Sequence, residues 1–593
     1  MNTRRVGIIL VALLNGIIGT LPSTSEMLYS TLFGGSEYDG VSSIVHDASG
    51  NVYVAGSTSS PDFPTTAGAY DESFNTHNDA FIVLLSPQLD QLLAGTFIGG
   101  TYVDGGRCMA LNSDGEPILL GRTLSEDFPV TPGAWDQDFN GEEDVFILKM
   151  SSGLDSLHYS TFFGGSEDDY ANDVTLTPSG DAVFTGSTRS FDFPVSPGCF
   201  AETHSGGSEI FVTRFSIETG ALVASTYIPN SYYGSQLAID RLGNIIVCGT
   251  AGSSFPTTAG AFDRYFNGGV DFVVFSMEPD LSDLKVGTYL GGSENESYFL
   301  NMALDQHGNV FLAGWSSSPN YPTTPGCLDD LLTGYNEAVI SIFNPRLDHL
   351  VASTFCQPGT MDLLPGQIFV STAGEVVLTG TAYSPPYDDV FVLSVSPSLD
   401  DIRSMNVFGG GEHDGGYCLR IDENGVVYCA GPTKSFDFPT TAGAFQTSFH
   451  GTPGESSFNN EFFISAVNLA GNDTLITGLD CNPRTITLPG SARMSAGVAN
   501  ASYSRREIAA RLDAQLPDGT IVENLAFSHR VFEAGETYQA SWIKPLPNID
   551  RLDGIVTFQL YALDVTPAPW NQPPYPPSGD SDTAELPIRI IVP

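Results

Sequence analysis

The chain has 593 residues, room for two or three domains and a sizeable core. Charged residues make up only 16%, yet 69 Asp and Glu stand against 23 Lys and Arg, and the resulting formal charge of −46 excludes a nucleic-acid binder that works by neutralising phosphates. Gly (63) and Pro (38) punctuate a sequence that is 41% hydrophobic and 11% aromatic, which excludes a long helical bundle and extended disorder and favours many short strands joined by turns.

Residues 1–25 carry Arg4 and Arg5, then a 14-residue run from Val6 to Gly19 that only Asn15 interrupts, then the small residues before Glu26. That is the layout of a secretory signal peptide cut near Ser25, and the apolar run is shorter than the ~20 residues a membrane-spanning helix needs. The expected mature chain is therefore secreted or displayed at a cell surface, with no integral membrane segment.

A repeat follows. Ser30-Thr31-Leu32-Phe33-Gly34-Gly35 returns as Ser160-Thr161-Phe162-Phe163-Gly164-Gly165, with related forms at Gly95-Thr96, Ser225-Thr226, Gly287-Thr288 and Ser353-Thr354, spaced by 65, 65, 65, 62 and 66 residues. A degenerate seventh copy stands at Asn406-Val407-Phe408-Gly409-Gly410. A second marker keeps the same beat: Asp62-Phe63-Pro64, Asp127-Phe128-Pro129, Asp192-Phe193-Pro194, Ser254-Phe255-Pro256, Asn320-Tyr321-Pro322 and Asp437-Phe438-Pro439, absent only from the short sixth unit. Its Pro fixes φ and its aromatic residue suits packing between neighbouring units.

Within one unit, apolar alternation marks four strands, in the third unit near 173–177, 181–186, 210–216 and 222–228. Tight turns such as Asp47-Ala48-Ser49-Gly50 and Asp422-Glu423-Asn424-Gly425 join the first two strands, and a long loop carries the Phe-Pro marker. Four antiparallel strands repeated radially are the signature of a β-propeller blade. Seven complete blades result if the strand at Leu28–Phe33 supplies the fourth strand of the last blade, whose other strands run from about Tyr417 to Val467; a rival fourth strand lies at Asp473–Thr477.

The Tyr-Ser-Thr-x-Phe-Gly-Gly-Ser pattern, Gly50 to Thr58 and Asp62 to Tyr70 resemble the SBBP, or β-propeller repeat, proteins of bacterial surfaces and secretions over roughly Glu26 to Gly471. The resemblance implies a propeller and an extracytoplasmic address, and no single activity. Pro229-Asn230 and Gln357-Pro358 replace Gly-Gly in the fourth and sixth units. After Asn472 the beat stops, and six or seven alternating segments suggest a second domain that resembles bacterial surface modules. The predicted fold class is all-β: a seven-bladed propeller of four-stranded blades over residues 26–472, then a small immunoglobulin-like or fibronectin-like β-sandwich over residues 480–593.

The nine His are scattered with no zinc-ligand spacing, and no nucleophile elbow, phosphate loop or dinucleotide fingerprint stands in its required setting. An acidic residue follows the second Gly of each Gly-Gly by four positions: Asp39, Asp104, Asp169, Glu296 and Asp414. As a ring on one face these would bind Ca²⁺; as turn residues they would accept backbone N–H bonds, and the recurrence in most blades favours the turn. No cofactor is required by this reading. A four-residue turn at 422–425 places Cys418 opposite Cys429, where either a disulfide or two packed thiols fit. Trp135, Trp315, Tyr232 and Tyr233 are the aromatic candidates for stacking on a sugar. The expectation is a noncatalytic secreted binding or scaffold protein whose partner is an extracellular glycan or protein. The alternatives are a propeller enzyme acting on polysaccharide or through a quinone-type cofactor, and a structural component of an envelope or matrix.

Overall fold

The computed structural model describes residues 26–469, apart from residues 359–360, 372–373, 385–386, 423 and 452–459, and, beyond these, seven strands between residues 485 and 591. The proposed signal peptide and the rival strand at 473–477 lie outside the described residues. Two compact units divide the chain, Met1–Asp473 and Thr474–Pro593.

The first unit consists of seven four-stranded antiparallel sheets. Blade 1 is typical, with an inner strand Asp39–His46, a second strand Val52–Thr58, a third strand Asp79–Leu85 and an outer strand Leu92–Ile98. The inner strands of blades 2 to 6 begin at Asp104, Asp169, Ser231, Asn301 and Asp362. Blade 7 joins Cys418–Ile421, Val427–Thr433 and Glu461–Asn468 to the first strand of the chain, Glu26–Phe33, which pairs antiparallel with the third. The ring therefore closes with strands from both ends of the unit, and no outer edge is left between first and last blade.

Seven apolar clusters hold the blades together, one at each interface. Val45, Tyr53 and Ile82 of blade 1 meet Met109, Leu119 and Phe146 of blade 2, and Phe33 and Phe462 of blade 7 meet Val54 and Phe81 of blade 1. The marker aromatics enter these clusters: Phe63 lies 4.4 Å from Phe81 and 5.3 Å from Phe33 between ring centroids, and Phe128 and Phe193 repeat the arrangement one and two blades on. Burial of such a ring against two sheets is the main attraction between blades.

The register of blade 7 corrects the cysteine expectation. In blade 1 the turn spans Asp47 to Asn51, because Asp47 Oδ1 accepts the N–H groups of Ser49 and Asn51 while Gly50 takes a positive φ of 80°. Blade 7 repeats it over Asp422 to Val426, so Ile421 pairs with Val427 and Cys418 with Ala430. That one-residue shift turns Cys418 and Cys429 to opposite faces of the sheet. Cys418 packs between blades 7 and 1 and Cys429 between blades 6 and 7, both as free thiols.

The second unit contains a five-stranded sheet and a two-stranded sheet, the latter pairing Ala492–Ala499 with Thr537–Lys544. Among the described residues no helix is long and apolar enough to cross a membrane.

Candidate binding site at the channel mouth

The recurring acids are buried; Asp39, Asp104 and Asp169 open inner strands, and Glu296 and Asp414 stand a few residues ahead of theirs. Asp39 Oδ2 accepts the Gly35 N–H at 2.7 Å and the Ser60 hydroxyl at 3.0 Å. Asp104, Asp169 and Asp414 repeat both bonds with Gly100 and Ser125, Gly165 and Ser190, and Gly410 and Ser435, while Glu296 Oε1 takes the Gly292 N–H and the Ser316 hydroxyl. Each carboxyl is thus tied into the turn of its own blade, and the five do not converge on a common point. Among the described residues no group of three or more His, Cys, Asp or Glu is placed to hold a metal.

Each acid has a partner that the sequence reading missed. The third strands carry acids at or near their starts, and across the interface Asp79 is felt by Asp104, Asp144 by Asp169, Asp271 by Glu296, Asp389 by Asp414 and Glu461 by Asp39. The first Gly of Gly-Gly is wedged between them: a Cβ on Gly99 would stand 2.4 Å from Asp79 Oδ1 and 3.0 Å from Asp104 Oδ2. Burial is the main cause that pushes Asp79, Asp104, Asp144 and Asp271 up to about 6, and Asp39, Asp169 and Glu296 to about 7.

Where inner strands meet at this end of the ring, they surround a cavity of about 860 Å³, within the ~300–1,000 Å³ range of small-ligand sites. Its wall carries Tyr38, Tyr170, Tyr232, Tyr233, Tyr298 and Tyr417, drawn from blades 1, 3, 4, 5 and 7, together with Phe299. Tyr298 and Tyr417 are 51% and 56% exposed, so their faces are open to a ligand. The Tyr233 and Tyr298 rings meet edge to face at 5.7 Å. Three arginines, Arg107, Arg122 and Arg189, share the wall with a single acid, Asp104, whose Oδ2 is already engaged in its turn. Arg122 pairs with Glu143 at 2.8 Å and Arg189 with Asp168 at 2.9 Å.

Bulges in the inner strands aim side chains into this space. Register shifts between Val41 and Ser43, Gly106 and Cys108, Ala171 and Asp173, and Gly234 and Gln236 leave Ser42, Arg107, Asn172 and Ser235 as the extra residues. All four line the cavity, as expected where a bulge re-aims a side chain.

The structure brings Tyr232 and Tyr233 to the cavity and leaves the two tryptophans out of its wall. Trp135 stacks on Phe163 at 5.0 Å beside the cluster between blades 2 and 3. Trp315 sits in the second strand of blade 5, paired with Ala338.

Fold and site together define a seven-bladed β-propeller with an aromatic cup at one end of its axis. Residues 28–64 match the SBBP beta-propeller repeat family. No curated protein matches the chain. Among solved structures it is similar to hydrazine synthase of Kuenenia stuttgartiensis, at 9% identity over 70% of this chain and 96% of that one with a TM-score of 0.38. A fungal alcohol oxidase in complex with copper aligns at 10% identity over 95% and 100% of the two chains with a TM-score of 0.39. Sqt1 of Chaetomium thermophilum aligns at 11% identity over 68% and 96% with a TM-score of 0.34.

Proposed function

We propose that the protein is a noncatalytic binding protein of the cell exterior that holds a saccharide in the channel-mouth cavity. The observation that carries this reading is the convergence of six tyrosines from five blades on one concave wall. Tyrosine offers a flat apolar face with a hydroxyl at its tip, the combination a sugar ring presents in return. The wall contains no His, and its one carboxyl is a buried turn residue, so the lining gives a binding reading more support than an acid–base one. The leader-like residues 1–25 support an exported chain, and the alternating strands beyond Thr474 support an immunoglobulin-like or fibronectin-like spacer.

Calorimetric titration of the chain lacking residues 1–25 with short oligosaccharides tests this reading. Tyr298→Ala and Tyr417→Ala should each weaken the best ligand by roughly three- to tenfold, as loss of one aromatic contact of ~0.5–1.5 kcal/mol implies. Thermal midpoints should be unchanged, since both rings are exposed. Saccharide binding that survives both substitutions would place the ligand elsewhere and overturn the proposal.

A further inference from the structure

The bulged residues of the first four blades occupy equivalent places, and three of them do the same work. Ser42 Oγ donates to the Gly106 carbonyl at 2.7 Å, Asn172 Nδ2 to the Gly234 carbonyl at 2.8 Å and Ser235 Oγ to the Tyr298 carbonyl at 3.4 Å. The first two bonds fasten one inner strand to the next around the cavity wall, and the third fastens the inner strand of blade 4 to the residues leading into that of blade 5. Arg107, the fourth, breaks the pattern. It is exposed, and among the described residues its guanidinium makes no hydrogen bond or ion pair.

The electrostatic surroundings leave its charge available. Arg122 and Arg189 of the same wall are already paired. Asp173, the acid that feels Arg107 and Arg420 along the inner strands, has both oxygens committed to backbone, Oδ1 to the Val174 N–H and Oδ2 to the Leu237 N–H, each at 2.9 Å. An unpaired guanidinium thus lies in the wall of an aromatic cavity, in a chain whose formal charge of −46 would supply acidic partners almost anywhere else. Guanidinium is the side chain whose planar fork matches a carboxylate or a sulfate with two parallel N–H bonds.

We infer that the cavity selects acidic saccharides, with a carboxylate or sulfate of the ligand on Arg107 and its sugar faces on the surrounding tyrosines. The inference rests on the saccharide reading of this cavity and adds the ligand's charge and the residue that reads it.

Arg107→Ser installs the residue that blades 1 and 4 carry at the equivalent bulge, so the fold should tolerate it, and an unchanged thermal midpoint verifies this. Uronate oligosaccharides of galacturonate, glucuronate and mannuronate are titrated beside their carboxyl-reduced, neutral counterparts, and sulfated oligosaccharides beside their desulfated forms. The wild-type chain should bind one acidic class about tenfold or more tighter than its neutral counterpart. Arg107→Ser should erase that preference, so that the acidic ligand binds no tighter than its neutral counterpart. The uronate and sulfate arms identify which group the guanidinium takes. Equal affinity for acidic and neutral ligands, or a preference that survives Arg107→Ser, would overturn the inference while the saccharide site stands. Binding of no oligosaccharide in either form would remove the saccharide reading and this inference with it.

Discussion

Buried acids facing one another across five of the seven blade interfaces make the propeller's stability a function of pH. In an unfolded chain Asp titrates near ~4. In the folded one Asp79 and Asp104 are pushed up to about 6 and Asp39 and Asp169 to about 7, chiefly by burial. Between those limits the folded state binds more protons than the unfolded state, so the stability these groups contribute is fully present below pH ~4 and is lost as pH rises through about 6 to 7. The thermal midpoint in excess EDTA should fall between pH 5 and pH 8, and Asp79→Asn should flatten that slope; a midpoint that rises over the interval would contradict the assignment. The exposed acids whose carboxyls are held down by hydrogen bonds, such as Asp127 on Thr101, act below this window. Millimolar Ca²⁺ at pH 7.5 should leave the midpoint unchanged, because the recurring acids are tied into separate turns. A rise of several degrees would instead assign them to an ion bound by the native state. At this scale the sequence exposed one half of the arrangement. The acid after Gly-Gly repeats visibly, whereas its partner lies at or near the start of a strand of the preceding blade and is related to it only through the interface. Arg107 was hidden for a different reason: a bulge breaks the alternation from which side-chain direction is read.

Strands and turns were the most legible elements, since apolar alternation recurs through the blades and the Asp-x-x-Gly turn stands in four of them, with Asn112, Thr177 or Ser371 in place of its Asp in the other three. In blade 3 the inner strand starts at Asp169, earlier than alternation suggests, because the bulge at Asn172 interrupts the period. The turn between third and outer strands carries a feature that no periodicity reports. Leu89, Leu154, Leu281, Leu347 and Leu399 each take a φ between 54° and 58° and are completely buried. A side chain at such a φ costs ~1–2 kcal/mol, and here burial between blades outweighs the strain. The carbonyl of Leu154 also accepts the Tyr70 N–H from the neighbouring blade at 2.9 Å. Leu154→Gly would relieve the backbone and lose the packing. We expect a net destabilisation of about 1–3 kcal/mol, measured by chemical denaturation, since the cost of an apolar deletion of this size exceeds the strain recovered. A more stable variant would show that the strain dominates.

For the molecule as a whole, the count of seven blades and their closure were readable because the Ser-Thr-x-Phe-Gly-Gly segment at 30–35 stands before the first inner strand with nothing of its own blade ahead of it. The cavity was not readable, since its wall is assembled from residues on six different blades where the repeats depart from one another. Tyr298 and Tyr417 belong to two of the less regular blades, each with a four-residue inner strand. Deleting residues 26–33 should leave the third strand Glu461–Asn468 with an open edge and lower the midpoint of the entire propeller transition. A separate early transition confined to blade 7 would show that the ring does not unfold as a unit.

The closing strand also sets an order of events. Ser30 bonds to Thr441 across 411 residues of sequence, and Phe33 pairs with Phe462. Any process that delivers the chain from its N-terminus, whether synthesis or transport through a pore, releases one half of this seam first and the other half only after six blades have passed. Residues 26–33 must wait unpaired throughout, an aggregation-prone edge that the ring removes in its last step.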